Sequence, residues 1–443
     1  MFGFFKTKCP FDARGKAWIE LRFRWLTEQL GLERMLSTEV VLPSDQMFAD
    51  LDDSVESMDR LAERVCHRME LNVHELRFEL CPDEDMDDAA GTYELLEENS
   101  AVVRVAESRM RDASSLVATL VHELSHHVLL GGKLIDAEET DHEFVTDLLS
   151  VYMGFGIFSA NSVMRENYVT DGQWSSWSMG KQGYLNALDF GYAMALFAWL
   201  RDEHAPGWSK CLRLDAAESF ATGATYLRKT GDSICTRDRT TPFPDRTIQQ
   251  LIADVSGGTD SERVASIWEL RARDGVSECV PTLVNQLQHK NPIIRTEALT
   301  SLGWLREAAL PVVDDLIACT EDRSAEVRGA AAHALGRIGD EPDHVIPYLA
   351  DLLKDHERSV VTSAVAGLAE YGVLATPASK AIFGVLRQAL VRCDYPLADL
   401  ALAIVTNITK DPLAELEEYF ADDEDLRYQV VDQLNALATG EDS

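Results

Sequence analysis

The sequence predicts two domains of different class, an α+β domain at the N-terminus followed by an all-α helical solenoid. Before residue 236, helical patterns alternate with short runs in which apolar and polar residues alternate as they do in strands. After residue 261, a helix-pair pattern recurs at intervals of 33 residues. The interval between the two regions is rich in Gly, Pro, Thr and Asp, which is typical of linkers. We therefore expect domains at residues 1–235 and 262–443, joined by a linker at 236–261.

The elements of the N-terminal domain follow from the spacing of its apolar residues. Helices are predicted at residues 13–30, 54–69, 113–130, 137–155 and 181–203. Strands are predicted at residues 76–80, 93–96 and 101–106, with a further short strand or extended segment at 40–42. The polar turn at residues 97–100 indicates that the last two strands form a hairpin.

The helix predicted at residues 113–130 contains His122-Glu123-Leu124-Ser125-His126, an HExxH motif. Two histidines four residues apart lie on the same face of a helix, where both rings can reach one ion. The glutamate between them is placed to handle the proton of a metal-bound water. The opposite face of the helix is apolar, so it is expected to pack on one side and open into a cleft on the other. We therefore predict a zinc site at His122 and His126, with Glu123 as general base.

A catalytic zinc site has three protein ligands and leaves its fourth position to water, so a third ligand is expected downstream. The candidates are Glu138, Glu139, Asp141, His142, Glu143 and Asp147. Glu143 is preferred because Asp147 follows four residues later on the same helical face, where it can accept the free ring N–H of a ligand histidine. His142 is the alternative ligand, although it lies about 100° round the helix from Glu143.

The combination of HExxH with a following ExxxD resembles the gluzincin metallopeptidases, the thermolysin-type group. The resemblance covers about residues 93–156 and implies a zincin-like fold. Carried over residue by residue, it implies that His122, His126 and Glu143 bind Zn²⁺ and that Asp147 orients a ligand histidine. It also implies hydrolysis of a peptide bond in a protein or peptide substrate.

The resemblance implies further roles for residues around the motif. Zinc would activate a water and polarise the scissile carbonyl, while Glu123 takes the proton of the water and returns it to the leaving amine. The strand at Ala101–Ala106 resembles the edge strand that pairs with extended substrate in zincins. An oxyanion donor is also needed. Tyr184 is the candidate we favour, and Tyr168 and His204 are the alternatives.

The C-terminal repeat is clearest at residues 327–339, whose sequence is VRGAAAHALGRIG. Related sequences occur 33 residues earlier, at 294–303, and 33 residues later, at 360–369. Helix pairs with a period in the low thirties form solenoids, because each repeat buries its apolar side against the next. The pattern resembles HEAT repeats over about residues 262–440, which implies a binding surface for a protein substrate or partner.

Composition narrows the class of partner. The formal net charge of −34 over 443 residues opposes general electrostatic binding to nucleic acid or to an anionic membrane. No apolar stretch approaches the ~20 residues that a transmembrane helix needs. The apolar run at the N-terminus is too short for a signal peptide, and the 8 cysteines include no CxxC pair. We therefore expect a cytoplasmic protein without a nucleic-acid or membrane partner.

Two functions of different class are consistent with these patterns. The first is a zinc-dependent metallopeptidase in which Glu123 is the general base and the solenoid binds a protein substrate or partner. A zinc hydrolase that acts on a non-peptide bond would use the same residues. The alternative is a non-catalytic HEAT-repeat scaffold whose zinc site is structural or degenerate, since helical repeats commonly present protein-binding surfaces. Metal content and hydrolysis distinguish these functions.

Overall fold

The computed structural model describes residues 9–44, 46–49, 51–52, 54–87, 89–96, 100–163, 185–235, 246–273 and 277–439. The chain divides into two compact units, Met1–Arg239 and Thr240–Ser443. The division falls inside the interval that the sequence predicts as a linker.

Part of that interval is helical. A helix begins at Ile248 and lies in the second unit. It begins there because Thr247 and Gln250 form a capping box, in which each side chain accepts a hydrogen bond from the backbone N–H of the other residue. Leu251 and Val255 then bury one face of the helix. The prolines of the predicted linker precede this helix, whereas Gly257, Gly258 and Thr259 lie at its C-terminal end.

The N-terminal unit combines helices with a small sheet. Its described helices are α1 (Ala13–Leu30), α2 (Leu32–Ser37), α3 (Val55–Met69), α4 (Ala113–His126), α5 (His142–Tyr152), α6 (Gly156–Ser162), α7 (Ala187–Leu200) and α8 (Leu214–Thr230). Its described strands are β1 (Leu76–Cys81), β2 (Gly91–Leu95) and β3 (Ala101–Ala106). The predicted helices at residues 13–30 and 54–69 agree with α1 and α3. The residues predicted as a short strand or extended segment at 40–42 lie outside the sheet, and Val41 donates to the carbonyl of Gly154.

The sheet corrects one prediction about the site. The strand order is β1-β3-β2, so β3 is the central strand and not the predicted edge strand. It pairs in parallel with β1 and antiparallel with β2. Five of its six residues are buried, Arg104 being the exception, as expected for a strand that is covered on both faces. The edge strand beside α4 is β2.

Helix α4 is buried more completely than a helix that lines an open cleft. Its apolar face is fully buried at Leu116, Leu120 and Leu124. Its polar face is also largely covered, and Glu123 is only 6% exposed. Strand β2 covers that face, because a Cβ at Gly91 would lie 2.7 Å from Thr119 Cγ2 and 2.8 Å from Glu123 Oε1. Glycine at position 91 therefore allows the strand to approach the HExxH helix.

The described part of the C-terminal unit is built from helices. They are α9 (Ile248–Gly257), α10 (Asp260–Ala272), α11 (Val280–Gln286), α12 (Pro292–Trp304), α13 (Val313–Ala318), α14 (Ala325–Ile338), α15 (Pro342–Leu352), α16 (Arg358–Ala369), α17 (Ser379–Val391), α18 (Tyr395–Ile408), α19 (Pro412–Tyr419) and α20 (Glu424–Thr439). The three sequence repeats that are 33 residues apart occupy α12, α14 and α16, which pack against one another in that order.

The repeats are joined by recurring contacts. Arg295 of α12 forms a two-pronged ion pair with Asp322, and Arg328 of α14 forms the same pair with Asp355. Backbones also approach closely, because a Cβ at Gly336 would lie 2.5 Å from the Cα of Gly367. Positions that recur in the sequence thus make equivalent contacts in the structure.

Among the residues that the structure describes, no helix combines the length and apolar character that crossing a bilayer requires.

Candidate metal centre

Helix α4 brings the two motif histidines onto one face. The Asp112 side chain caps the helix by accepting from the backbone N–H groups of Ser114 and Ser115, at 3.0 and 3.4 Å. Burial of the apolar face then fixes the rotation of the helix, so His122 and His126 share the side that faces α5. Their ring centroids are 4.9 Å apart. Both rings can therefore reach a common point.

Glu143, in the first turn of α5, completes a group of three metal-ligating side chains. Its Oε2 lies 3.2 Å from Nε2 of His122 and 3.4 Å from Nε2 of His126. Tetrahedral zinc with bonds of 2.0–2.1 Å places neighbouring ligand atoms about 3.3 Å apart. The three ligand atoms all lie within 4.8 Å of one another. This spacing fits one zinc ion.

The hydrogen bonds around the two rings leave both Nε2 atoms available to an ion. His122 Nδ1 lies 3.0 Å from Asp147 Oδ1, an acceptor, so Nδ1 carries the hydrogen. His126 Nδ1 lies 3.4 Å from the hydroxyl of Thr146, which donates its own hydrogen to the carbonyl of His142. Towards His126 that hydroxyl accepts, so Nδ1 again carries the hydrogen. When the rings are neutral, both Nε2 lone pairs then point at Glu143 Oε2.

Glu143 Oε2 is buried, and no described group donates a hydrogen bond of good geometry to it. An orphaned carboxylate oxygen that faces two ring lone pairs is unfavourable unless a cation lies between them. The donor set, two imidazoles and a carboxylate, is one that zinc prefers in catalytic sites. The residues present therefore fit a zinc ion.

The electrostatics of the cluster favour positive charge. Burial alone would lower the pKa of His122, but Asp147 and Glu143 outweigh it and raise that pKa well above its ordinary value. Burial would raise the pKa of Glu143, but contact with the rings of His122 and His126 holds it well below its usual range. Burial raises the pKa of Glu123. The rings of His122 and His126 lower this pKa again by a smaller amount, and the negative charge of Glu143 raises it further. The same field that favours ring protonation favours a cation.

Asp147 connects the cluster to a distant part of the chain. Its Oδ1 faces the ring of His122, and its Oδ2 accepts the backbone N–H of Leu185 at 2.8 Å. The Asp147 side chain is only 9% exposed. Both carboxylate oxygens are thus satisfied, which fixes the orientation of the His122 ring. The sequence predicts this residue, but not Thr146, which has the equivalent position beside His126.

A cavity of about 80 Å³ adjoins His122 and Glu123. It follows the polar face of α4 past Thr119 and Ser115 and is closed on another side by α6. This volume can hold more than one water molecule. Water or the reacting part of a small substrate can therefore lie against the Glu123 carboxylate.

Two other predicted site residues that the structure describes, His142 and His204, are not part of the group of three ligand atoms. The alternative ligand His142 contacts the other oxygen of Glu143, with Nε2 at 3.2 Å from Oε1, and its Nδ1 lies 2.8 Å from the carbonyl of Glu139. His204 is exposed after α7 and is not among the residues that line the cavity. Tyr184 and Tyr168 lie outside the described residues.

One residue that the sequence does not single out lies beside the ligands. Tyr93 of β2 stacks on the ring of His126, with centroids 6.2 Å apart. Its hydroxyl lies 3.3 Å from Nδ1 of His127, the half-buried residue that begins a π-helical turn after α4. Alternation along β2 could have indicated this, since Gly91 and Tyr93 share one face of the strand. That face covers the motif from Glu123 to His127.

Comparisons with known proteins bear on the C-terminal unit. A family model described as HEAT repeats matches residues 311–369. This confirms HEAT-like repeats in that part of the predicted solenoid and supports a scaffold for protein binding. The gluzincin resemblance of the N-terminal unit receives no support from the comparisons and stays a prediction.

Comparisons with curated proteins and with solved structures do not identify a relative of known function. No curated protein matches the chain. A crystal structure of an engineered protein from a structural genomics consortium is similar at 14% sequence identity, covering 95% of this chain and 93% of that chain. Its TM-score is 0.33, which is too low to support an argument about fold or function.

Proposed function

We propose that the chain is a zinc-dependent peptidase whose HEAT repeats bind a protein substrate or partner. The observation that carries the proposal is the arrangement of three metal-ligating atoms, all within 4.8 Å of one another. Oε2 of Glu143 faces the Nε2 atoms of His122 and His126 at 3.2 and 3.4 Å, and it is buried without a hydrogen-bond donor among the described residues. Glu123 lines the adjoining cavity.

The chemistry assigns a role to each of these residues. Zinc held by His122, His126 and Glu143 would lower the pKa of a bound water and polarise a carbonyl group. Glu123 follows His122 directly on α4 and lines the same cavity, so its carboxylate is the base that takes the proton of the attacking water and returns it to the leaving amine. Asp147 holds the ring of His122 through Nδ1 and so turns its Nε2 towards Glu143.

Strand β2 is the better candidate for pairing with an extended substrate. In the described sheet it pairs with β3 only, which leaves its other edge open. It lies over the motif, since Gly91 packs against Glu123 and Tyr93 stacks on His126. Main-chain pairing along this edge would give affinity with little dependence on side chains. We therefore assign the pairing with extended substrate, which the sequence suggests for β3, to β2.

A second function is favoured by the family match. HEAT repeats at residues 311–369 are sufficient for a protein-binding scaffold, and such a scaffold needs no hydrolysis at the zinc site. In that case zinc would hold α4 and α5 together and contribute to folding. This scaffold shares the metal ligands of the peptidase and differs in the role of Glu123.

Substitution of Glu123 separates the two functions. The wild-type protein and Glu123→Gln are compared for zinc content and for new N-termini in a proteome digest. The peptidase predicts about one zinc per chain in both proteins and cleavage by the wild type alone. A matched control is Glu138→Gln, an exposed glutamate that should retain both properties. Zinc without cleavage would support the scaffold, and absence of zinc from the wild type would contradict the zinc site itself.

A further inference from the structure

Strand β2 places one aromatic ring against a candidate zinc ligand. Tyr93 lies in the middle of β2, opposite Val103 of the central strand β3. Its ring is inclined by only 24° to the ring of His126, and the two ring centroids are 6.2 Å apart. Aromatic rings with this separation and a small inclination are offset-stacked. The flat face of Tyr93 therefore limits how far the His126 ring can turn.

The hydroxyl of Tyr93 contacts the turn that follows His126. It lies 3.3 Å from Nδ1 of His127, and a Cβ at Gly131 would lie 2.9 Å from the hydroxyl oxygen. His127 and Gly131 are the first and last residues of the π-helical turn after α4. Single π-helical turns frequently occur at functional sites. Tyr93 thus contacts both the ligand and the turn that ends the motif helix.

The ring of His126 depends on this contact more than the ring of His122 would. Nδ1 of His122 lies 3.0 Å from Asp147, a charged acceptor whose second oxygen binds a backbone N–H. Nδ1 of His126 lies 3.4 Å from Thr146, a neutral hydroxyl. A long bond to a neutral acceptor is weaker than a short bond to a carboxylate, and it orients a ring less firmly. The stack with Tyr93 supplies the second contact that orients His126.

We propose that Tyr93 is a positioning residue, which holds the His126 ring in the orientation that binds zinc. The inference rests on the proposed function, since the orientation of His126 has a purpose only when the ring binds zinc. The role belongs to the aromatic ring, which contacts the ligand, and not to the hydroxyl, which contacts His127. Strand β2 then supports a zinc ligand in addition to pairing with extended substrate.

A competing explanation is that Tyr93 only packs β2 against α4. A half-buried ring contributes to stability in either case, so a loss of stability alone does not distinguish the two explanations. The affinity for zinc does distinguish them, and competition with a chromophoric chelator measures it. The thermal midpoint of the zinc-free protein is recorded beside it, so that damage to the fold is measured separately.

Two substitutions separate the ring of Tyr93 from its hydroxyl. Tyr93→Phe keeps the ring, so the zinc affinity should stay close to that of the wild type. Tyr93→Leu keeps an apolar side chain but removes the flat ring, so the zinc affinity should fall by about tenfold or more. Leu95→Ala is the control, because Leu95 lies on the same face of β2 and is 48% exposed. If Tyr93→Leu does not fold, Tyr93→Met replaces it with the same expected loss.

The Co²⁺-substituted protein gives a second measurement. Its visible absorption depends on the geometry of the ligands and not on the stability of the fold. The spectrum should change in Tyr93→Leu and remain that of the wild type in Tyr93→Phe and Leu95→Ala. An identical spectrum in all four proteins would contradict an effect of Tyr93 on the orientation of His126.

Combined variants give a reading that a merely structural residue would not produce. Tyr93 and Thr146 contact the same ring, so Tyr93→Leu combined with Thr146→Val should depart from the product of the single losses by about threefold or more. Tyr93 and Asp147 contact different rings, so the losses in Tyr93→Leu and Asp147→Asn should multiply. Losses that multiply in both combinations would assign Tyr93 to general packing and overturn the inference.

The failure of this inference can be distinguished from the failure of the proposed function. An unchanged zinc affinity in Tyr93→Leu, or an equal loss in Tyr93→Phe and Tyr93→Leu, would overturn the role of the Tyr93 ring and leave the zinc site standing. Absence of zinc from the wild type would overturn the proposed function and this inference with it.

Discussion

The indole N–H of Trp18 donates a hydrogen bond of 2.8 Å to the carboxylate of Asp141, across 123 residues of sequence. Arg22, one turn further along α1, donates to both oxygens of the same carboxylate at 2.7 and 2.8 Å. Asp141 immediately precedes α5, and the ring of Trp18 also meets Phe144 edge-on at 5.7 Å. Helix α1 therefore holds the start of α5 on both sides of Glu143. The predicted start of this helix at residue 137 is wrong, because Asp141 has non-helical dihedral angles (φ −114°, ψ 13°) and α5 begins at His142.

We expect Trp18→Phe and Asp141→Asn each to lower the affinity for zinc. The first change removes one hydrogen bond and keeps the ring, so Glu143 loses part of the support that fixes its position. Outer contacts of this kind typically contribute at least tenfold to metal affinity, so a loss of about tenfold is expected. Competition with a chromophoric chelator measures the change. Glu139→Gln is the control, because its pair with Arg22 is 43% exposed on the glutamate side and should contribute little.

The residues that orient the two rings should differ in importance. Asp147→Asn exchanges a charged acceptor for a weaker one beside His122, and we expect zinc affinity to fall by about 10- to 100-fold. Thr146→Val should cost less, because its contact with His126 is longer, at 3.4 Å. Ser150→Ala is a control on the same helix, since that hydroxyl binds the backbone and neither ring. Equal losses in all three variants would indicate general damage to α5 and contradict specific ring orientation.

Arg328 should be important for the stability of the C-terminal unit. Its pair with Asp355 is nearly buried, with side chains 10% and 8% exposed. Arg328→Met leaves the Asp355 carboxylate without its partner, which should cost about 3–5 kcal/mol of the free energy of unfolding. Arg358→Met is a matched control, because Arg358 is 56% exposed in its pair with Asp394 and should cost less than about 1 kcal/mol. Urea unfolding measures both, and equal costs would contradict the role of burial.

The same ion pairs predict how stability depends on pH. The hydrogen bond from Arg328 holds the pKa of Asp355 below its ordinary value. Burial would raise the pKa of Asp322, but the bonds from Arg295 and the backbone of Ser324 outweigh it and lower that pKa. Carboxylates with lowered pKa values stabilise the fold above the unfolded value of about 3.9, and the contribution is lost as pH falls below it.

We therefore expect these two ion pairs to leave the urea midpoint of the C-terminal unit nearly constant between pH 8 and pH 5. At pH values below about 4, the midpoint should decrease. In Arg328→Met the acid-induced fall should be smaller, because Asp355 has lost the partner that lowers its pKa. An unchanged fall in that variant would show that other carboxylates dominate acid unfolding.

The local elements of this chain could be predicted because their signals are local. Asp12 caps α1 and Gly31 ends it, so its bounds agree with the predicted 13–30. The repeat at 327–339 could also be predicted from local sequence, since its pattern occurs three times at intervals of 33 residues. Thr247 and Gln250 also gave a local signal, the capping box, but the composition around them suggested a linker instead.

Contacts between distant segments account for the differences. Periodicity shows that β3 is apolar but does not identify its neighbours, although its nearly continuous apolar run is typical of a central strand. The helix face at Thr119 and His122 was expected to open into a cleft; it lines a cavity that the approach of β2 through Gly91 partly covers.

The hydrogen bond between Leu185 and Asp147 has a consequence for the order of folding. The two residues are 38 positions apart, and Leu185 immediately precedes the cap of α7. Helix α4 can form from local interactions, but Asp147 receives its second partner only after the chain has returned to α5 with α7 following. A contact between distant segments forms late, because the entropy cost of closing the loop comes before the contact can stabilise the fold. We therefore expect HExxH to exist as a helix before it can retain zinc at full affinity, so metal capture is a late event in folding.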